Sequence, residues 1–293
     1  MTSKTYGALI LLIIVGVTIL FMFMQKLSPS YPTHESWVGW ACSSYGHQQD
    51  LTSSYWVNVT TEMNVKISNS EPSGIWVLSV IWEDGECHLQ FPNPTNKTYQ
   101  YISFSDTDEN EPYLDAFDDA GVKVWLSVES GYADMETLID LVLSRYKHHS
   151  CVVGFSIDLE WYQNPLYEDG KAVSNDEAYR WLNRVKSYKQ DYKLLLIHWL
   201  SSKMPPQHFP DIVFMSDDQG FSSMSEFVDD FKQWGNTFAD AEVGYCIGFE
   251  TDREWWRELA DPLIELTNTL IGNIPNCKMV YWVHFTIQEV YPP

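Results

Sequence analysis

Basic residues are scarce: 18 Lys and Arg stand against 40 Asp and Glu, for a net charge of −22. Binding to phosphate backbones rests on Lys and Arg displacing counterions, so nucleic acid and anionic lipid headgroups are excluded as partners. Cysteines are few and scattered, at Cys42, Cys87, Cys151, Cys246 and Cys277. No C-x-x-C or H-E-x-x-H spacing occurs, so no metal and no structural zinc site is expected. The odd count leaves at least one thiol unpaired, and Cys42 with Cys87 is the pair read as a disulfide. Neither a G-x-G-x-x-G string nor a P-loop is present, which removes the usual nucleotide cradles, and no cofactor is expected. Aromatic residues, in contrast, are abundant: 13 Trp, 17 Tyr and 14 Phe in a chain of 293 residues that is 45% hydrophobic. Such a chain builds a sizeable core, as one large domain or two small ones, and is not disordered.

Only one long hydrophobic run exists. Lys4 and Lys26 bracket 21 uncharged residues, enough at ~1.5 Å per residue to span the ~30 Å of a bilayer core. A cleaved signal peptide is the rival reading, but no A-x-A-like site follows the run. The expectation is an uncleaved single span, with membrane attachment through this helix and the C-terminal domain outside the cytoplasm. The sequons Asn58-Val59-Thr60 and Asn96-Lys97-Thr98 agree with that side. Residues 1–26 then form the anchor, 27–52 a Ser-, Pro- and Gly-containing linker, and 53–293 the folded domain.

Residues 53–67 place Trp56, Val59, Met63 and Ile67 at helical spacing. Beyond them, apolar runs rich in β-branched and aromatic residues predict strands at 75–82, 99–105, 122–129, 151–160, 193–199, 211–218, 242–249 and 278–285. Amphipathic stretches at 134–147, 175–188, 223–234 and 252–272 separate most of them. Asp134 reads as an N-cap, Ser174-x-x-Glu177 as a capping box, Gly235 as a helix stop and Pro262 as a break. Residues 83–98 hold Pro92 and Pro94 and read as a long loop. Eight strands alternating with helices predict an α/β fold, a (β/α)8 TIM barrel preceded by the single transmembrane helix, over an open doubly wound sheet.

Active sites of such barrels form at the C-terminal strand ends. The fourth predicted strand ends Ser156-Ile157-Asp158-Leu159-Glu160-Trp161. Alternation sets Ser156, Asp158 and Glu160 on one face, toward the barrel mouth, and Phe155, Ile157 and Leu159 on the other. Two carboxylates this close split their pKa values and suit acid–base work. Glu129, at the end of the neighbouring strand with Trp125 and Ser127, is a further catalytic candidate.

This strand resembles that of glycoside hydrolase family 18, the chitinases and endo-β-N-acetylglucosaminidases. The family's D-G-x-D-x-D-x-E is matched at Gly154, Asp158 and Glu160. Ser127-Val128-Glu129-Ser130-Gly131 is a loose counterpart of its S-x-G-G, and Trp282 of its sugar-lining Trp. The resemblance implies Glu160 as general acid and Asp158 as the residue orienting the substrate's acetamido oxygen, the internal nucleophile. Val153 and Ser156 stand where the family has aspartates, and Met215-Ser216-Asp217-Asp218 has no Tyr.

Glu250, closing the seventh predicted strand, could instead pair with Glu160, as strand-four and strand-seven carboxylates do in other barrel glycosidases. His198, Asp217, Gln219, Trp282 and Glu250 are read as substrate-binding, through sugar hydroxyls or ring stacking. His148-His149 precedes the fourth strand and reads as a surface pair. Two functions follow: a membrane-tethered glycoside hydrolase with a carbohydrate substrate, or a catalytically silent barrel that binds glycan or acts as a surface scaffold.

Overall fold

The computed structural model describes residues 35–43, 51–95 and 97–293. Eight parallel strands close into a barrel: β1 (Ser36–Ala41), β2 (Ser70–Val77), β6 (Lys123–Val128), β7 (Val152–Asp158), β8 (Lys193–Ile197), β9 (Ile212–Ser216), β10 (Glu242–Ile247) and β11 (Cys277–Val283). β1 pairs with both β2 and β11 and so closes the ring. The eight strands expected from sequence are not quite these eight. The first lies inside the stretch read as linker, and the barrel therefore begins before residue 53. Its Gly39 is the reason it does not look like a strand. The glycine marks a close approach, because a Cβ there would fall 1.7 Å from the Ser73 carbonyl oxygen on β2.

The predicted strand at 75–82 divides into the end of β2 and β3 (Ser79–Ile81). The one at 99–105 shrinks to β5 (Ile102–Phe104), which is not in the barrel. β3, β4 (Cys87–Leu89) and β5 form a separate three-stranded sheet within the long connection after β2. Cys42 and Cys87, read as a disulfide, are separate buried thiols, as are the other three cysteines.

Helices fill the outer layer. Helix α1 (Ser53–Lys66) starts at Thr52, whose hydroxyl accepts the Tyr55 N–H. α2 (Glu111–Ala120) follows the small sheet, and α3 (Met135–Tyr146) is capped by Asp134 as expected. α4 (Asn175–Lys186) carries the complete Ser174/Glu177 capping box. α5 (Met224–Thr237) runs through Gly235 rather than stopping there: a Cβ would sit 2.5 Å from Ile274 Cγ2, so the glycine admits a neighbouring segment. The stretch 252–272 is two helices, α6 (Arg253–Trp256) and α7 (Pro262–Asn273), with Pro262 opening the second. α8 (His284–Val290) follows β11. Among the described residues no helix is long and apolar enough to cross a membrane. The expected span over residues 5–25 lies outside the described residues.

The strands' alternation divides the core in two. Trp40, Trp76, Leu126, Phe155, Ile157 and Trp282 face the helices. Ile75, Trp125, Leu195, Met215, Met279 and Tyr281 fill the barrel interior. The largest aromatic cluster joins β1 and β2 to α1 and α2, with Trp40 lying 5.2 Å from Trp56, 5.7 Å from Trp76 and 5.3 Å from Phe117. The Trp40 indole N–H reaches the Trp56 carbonyl and the Thr60 hydroxyl, both at 3.3 Å, so this buried donor is satisfied.

Candidate active site

The interior of the barrel is apolar at its centre, and polar residues collect where the strands end. β7 presents Gly154, Ser156 and Asp158 inward, in the register expected from alternation. The strand stops at Asp158 because that side chain accepts the Glu160 N–H at 3.1 Å, turning Leu159–Trp161 into a single 3-10 turn. Glu160 therefore sits on a turn above the strand rather than on the strand itself. Both carboxylates nonetheless face one cavity of about 380 Å³ at the mouth. Asp217, the first residue after β9, faces it too.

Burial and mutual repulsion hold these groups toward the protonated state. Burial pushes the Asp158 carboxyl well above its ordinary value, and the charges of Asp217, Glu129 and Glu160 add to that push. Asp217 is raised by burial and then by Glu160, and its Oδ1 has no hydrogen-bond partner among the described residues. Glu160 is raised by burial and by the charge of Asp169. Clustered carboxyls with raised pKa values are what acid–base chemistry near neutral pH requires.

Glu129 is 2% exposed and off the cavity wall, with its backbone N–H donating to the Ser79 hydroxyl at 2.8 Å. Its charge helps to raise the Asp158 carboxyl. Gln219 and Glu250 lie at the rim. Gln219 accepts from the Thr251 hydroxyl at 3.0 Å, and Glu250, three-quarters exposed, pairs with Arg253 at 2.9 Å.

Two expected ligand residues face elsewhere. His198 is fully buried: its Nδ1 accepts the Leu200 N–H at 2.8 Å, and its Nε2–H donates to the Asp169 carbonyl at 2.8 Å. Burial pulls its pKa down to about 4, so it is a neutral clamp on the loop that carries Asp169. Trp282 points out of the barrel, against Trp256 at 5.2 Å, and its indole N–H donates to Thr286 at 2.8 Å. Alternation along β11 signals this, because Tyr281 and Val283 take the inward positions. His284 and Phe285, just beyond the strand, are the residues that line the cavity there.

A further residue had no sequence signal. Asp252, 3% exposed, accepts the Gly220 N–H at 2.8 Å and the Phe221 N–H at 2.7 Å. It ties the turn bearing Glu250 to the loop bearing Asp217 and Gln219. The remaining wall is apolar, with Ile75, Ile197, Phe249 and Val283, and among the described residues no Lys or Arg lines it.

No family model matches the chain, and no curated protein does. Among solved structures it is similar to a β-glucuronidase of an uncultured Clostridium sp., with a TM-score of 0.46 and 10% identity. It is also similar to the β-glucuronidase of Parabacteroides merdae, with a TM-score of 0.45 and 9% identity. Each similarity covers 86% of this chain, which spans 44% and 33% of those two chains.

Proposed function

We propose that the barrel is a glycoside hydrolase, and that its mouth cleaves a glycosidic bond by acid assistance. One observation carries this reading: Asp158, Glu160 and Asp217 face a single half-enclosed cavity and are all biased toward holding a proton. Glu160, on a turn above the strand and open to the cavity, is the proton donor to the leaving oxygen. Asp158 supports the turn by accepting the Glu160 N–H and, with Asp217, holds one proton between the two carboxyls, whose remaining negative charge stabilises an oxocarbenium-like transition state. The apolar wall suits the C–H face of a sugar ring. A wall without Lys or Arg disfavours uronic acids and sugar phosphates, so the substrate is a neutral or N-acetylated oligosaccharide. The likeness to family 18 at Gly154, Asp158 and Glu160 supports the N-acetylated case, in which the acetamido oxygen is the nucleophile and Asp158 orients it.

Glu160→Gln keeps the shape and removes the proton. Hydrolysis of natural oligosaccharides, N-acetylglucosamine oligomers among them, should fall ~10²–10⁴-fold. Aryl glycosides, whose leaving groups need less acid, should lose less. Equal rates in both proteins would remove Glu160 from the mechanism. Ser156, fully buried with an unpartnered hydroxyl where the family carries an aspartate, favours a second reading, a glycan-binding barrel without turnover. Binding on a glycan array with no hydrolysis by the wild type would select it.

We further propose that residues 5–25 anchor the protein, with the barrel outside the cytoplasm. The 21-residue uncharged run supports the anchor. Asn58 is exposed on α1, although its Thr60 is fully buried. N-terminal sequencing of membrane-extracted protein checks the anchor, and a chain beginning near Leu27 would contradict it.

A further inference from the structure

The adjacent histidines before β7 are not a surface pair. His148 is 59% exposed at its side chain, but His149 is 1% exposed and packed against α2. The first and eighth residues of α2, Glu111 and Asp118, lie two turns apart and both reach His149. Its Nδ1 lies 2.8 Å from Asp118 Oδ2 and its Nε2 lies 3.0 Å from Glu111 Oε2. Glu111 Oε2 is also 3.6 Å from His148 Nε2.

The outer partners fix the Nδ1 side of each ring. His148 Nδ1 lies 2.8 Å from the Arg145 carbonyl oxygen, which only accepts, so Nδ1 is a donor and Nε2 is the nitrogen turned toward Glu111. Asp118 plays the same part for His149. Its other oxygen is held by the Cys151 N–H at 2.6 Å and the Ser150 hydroxyl at 3.0 Å, so the carboxylate is fixed and turned to Nδ1. Two imidazole Nε2 atoms and one carboxylate oxygen thus converge on one point. A hydrogen on His149 Nε2 would satisfy the 3.0 Å contact with Glu111, whereas His148 Nε2, at 3.6 Å, lies beyond hydrogen-bond distance of the same oxygen.

We propose that Glu111, His148 and His149 bind a divalent transition-metal ion such as zinc, with Asp118 as the outer carboxylate that orients His149. Ligand atoms ~2.1 Å from a tetrahedral ion lie about 3.4 Å apart, and the 3.0 and 3.6 Å separations bracket that edge. One donor atom from each of the three residues lies within 4.8 Å of the others. Imidazole and carboxylate are the donors zinc takes, and a carboxylate on the far ring nitrogen is its usual support. Arg145 approaches the other oxygen, Glu111 Oε1, at 3.9 Å and is itself engaged by Asp108 at 2.5 Å, so Oε2 is left to the imidazoles. Cys151, also near His149, is a weaker candidate, since its buried thiol is 3.7 Å from the Leu114 carbonyl and held protonated. The ion would pin α2 to the turn that enters β7, on a feature separate from the mouth.

The full chain is stripped with EDTA and titrated with Zn²⁺ by calorimetry and with Co²⁺ by visible absorption. One equivalent should bind, with the ligand-field bands of a low-coordinate N/O site. Zinc should raise the unfolding midpoint by roughly 2–4 °C or more. His148→Ala, at an exposed position that folding does not need, should weaken binding at least about tenfold and abolish the midpoint shift. Asp118→Asn should weaken it by roughly 10–100-fold. Asp217→Asn, in the mouth, should leave it unchanged. Binding that is absent, or unaltered by His148→Ala, would overturn the proposal.

Discussion

Asp169 shows how one residue without direct contact can set the chemistry of another. Its charge helps to raise the Glu160 carboxyl, and its carbonyl is held by the buried Nε2–H of His198. It also takes a left-handed backbone, at φ 53°, which Asn tolerates nearly as well. Asp169→Asn should therefore lower the Glu160 pKa and move the alkaline fall of kcat/KM to lower pH, with the acidic-side rate little changed. A pH–rate series on the two proteins checks this, and an unmoved limb would show that Asp169 does not reach Glu160. Gly39 is governed by space alone. Gly39→Ala drives a Cβ into the Ser73 carbonyl and should cost about 3 kcal/mol of stability, measured by denaturant unfolding.

At the scale of elements, the loops after β9 and β10 act as one body because Asp252 accepts two N–H groups across them. Asp252→Ala leaves the buried Phe221 N–H unpaired, at a cost of about 1–3 kcal/mol, removes the acceptor of the Gly220 N–H, and should loosen the wall that holds Asp217. Its signature is a raised KM and faster hydrogen exchange at Gly220 and Phe221. Unchanged exchange at those two amides would contradict the tie. Elements also mark how far the sequence could be read. β6 to β11 are legible because each is a buried parallel strand, an apolar run bounded by turns and caps. β1 is not, because Gly39 and the neighbouring polar stretch hide a strand whose justification is contact with Ser73, far along the chain. Gly235 fails for the same reason: a buried helix glycine and a stop glycine look alike until Ile274 is placed beside it. Of the residues at the cavity, Asp158 and Asp217 are legible from alternation and strand ends, whereas Glu160 reaches it from a turn that alternation does not foresee. Asp252 is not legible, since only the fold brings it to the Gly220–Phe221 backbone. Trp282 occupies the family's position in sequence, but the alternation of β11 turns it to the helices and leaves Tyr281 and Val283 inside.

Taken whole, the molecule stores more negative charge than it balances, and several carboxyls feel it. Asp230 and Asp252 are raised to about 6, both by burial first, and Asp158 and Asp217 are raised as well. Unfolded aspartate titrates near ~3.9, so between roughly pH 4 and 6 the folded chain binds more protons than the unfolded one. Stability from these groups is present at the acidic end and lost as pH rises through their folded pKa values. Glu177 works in the opposite sense. Burial alone would raise it, but Lys171, Ser174 and Tyr162 hold it at about 2, so its contribution is lost only in stronger acid. The net charge of −22 adds self-repulsion as pH rises. The unfolding midpoint should therefore be higher near pH 5 than near pH 8, and Asp252→Asn, which keeps the acceptor oxygen, should flatten the difference. A midpoint that climbs steadily from pH 5 to 8 would contradict this.

Glu160 is proposed to donate a proton from a pocket whose burial raises its carboxyl. The pH dependence of kcat/KM for oligosaccharide hydrolysis, wild type beside Glu160→Gln, tests it most directly. The wild-type rate should fall on the alkaline side above the raised Glu160 pKa, and the variant should be slow throughout and lack that fall. An alkaline limb that survives in Glu160→Gln at undiminished rate would contradict it.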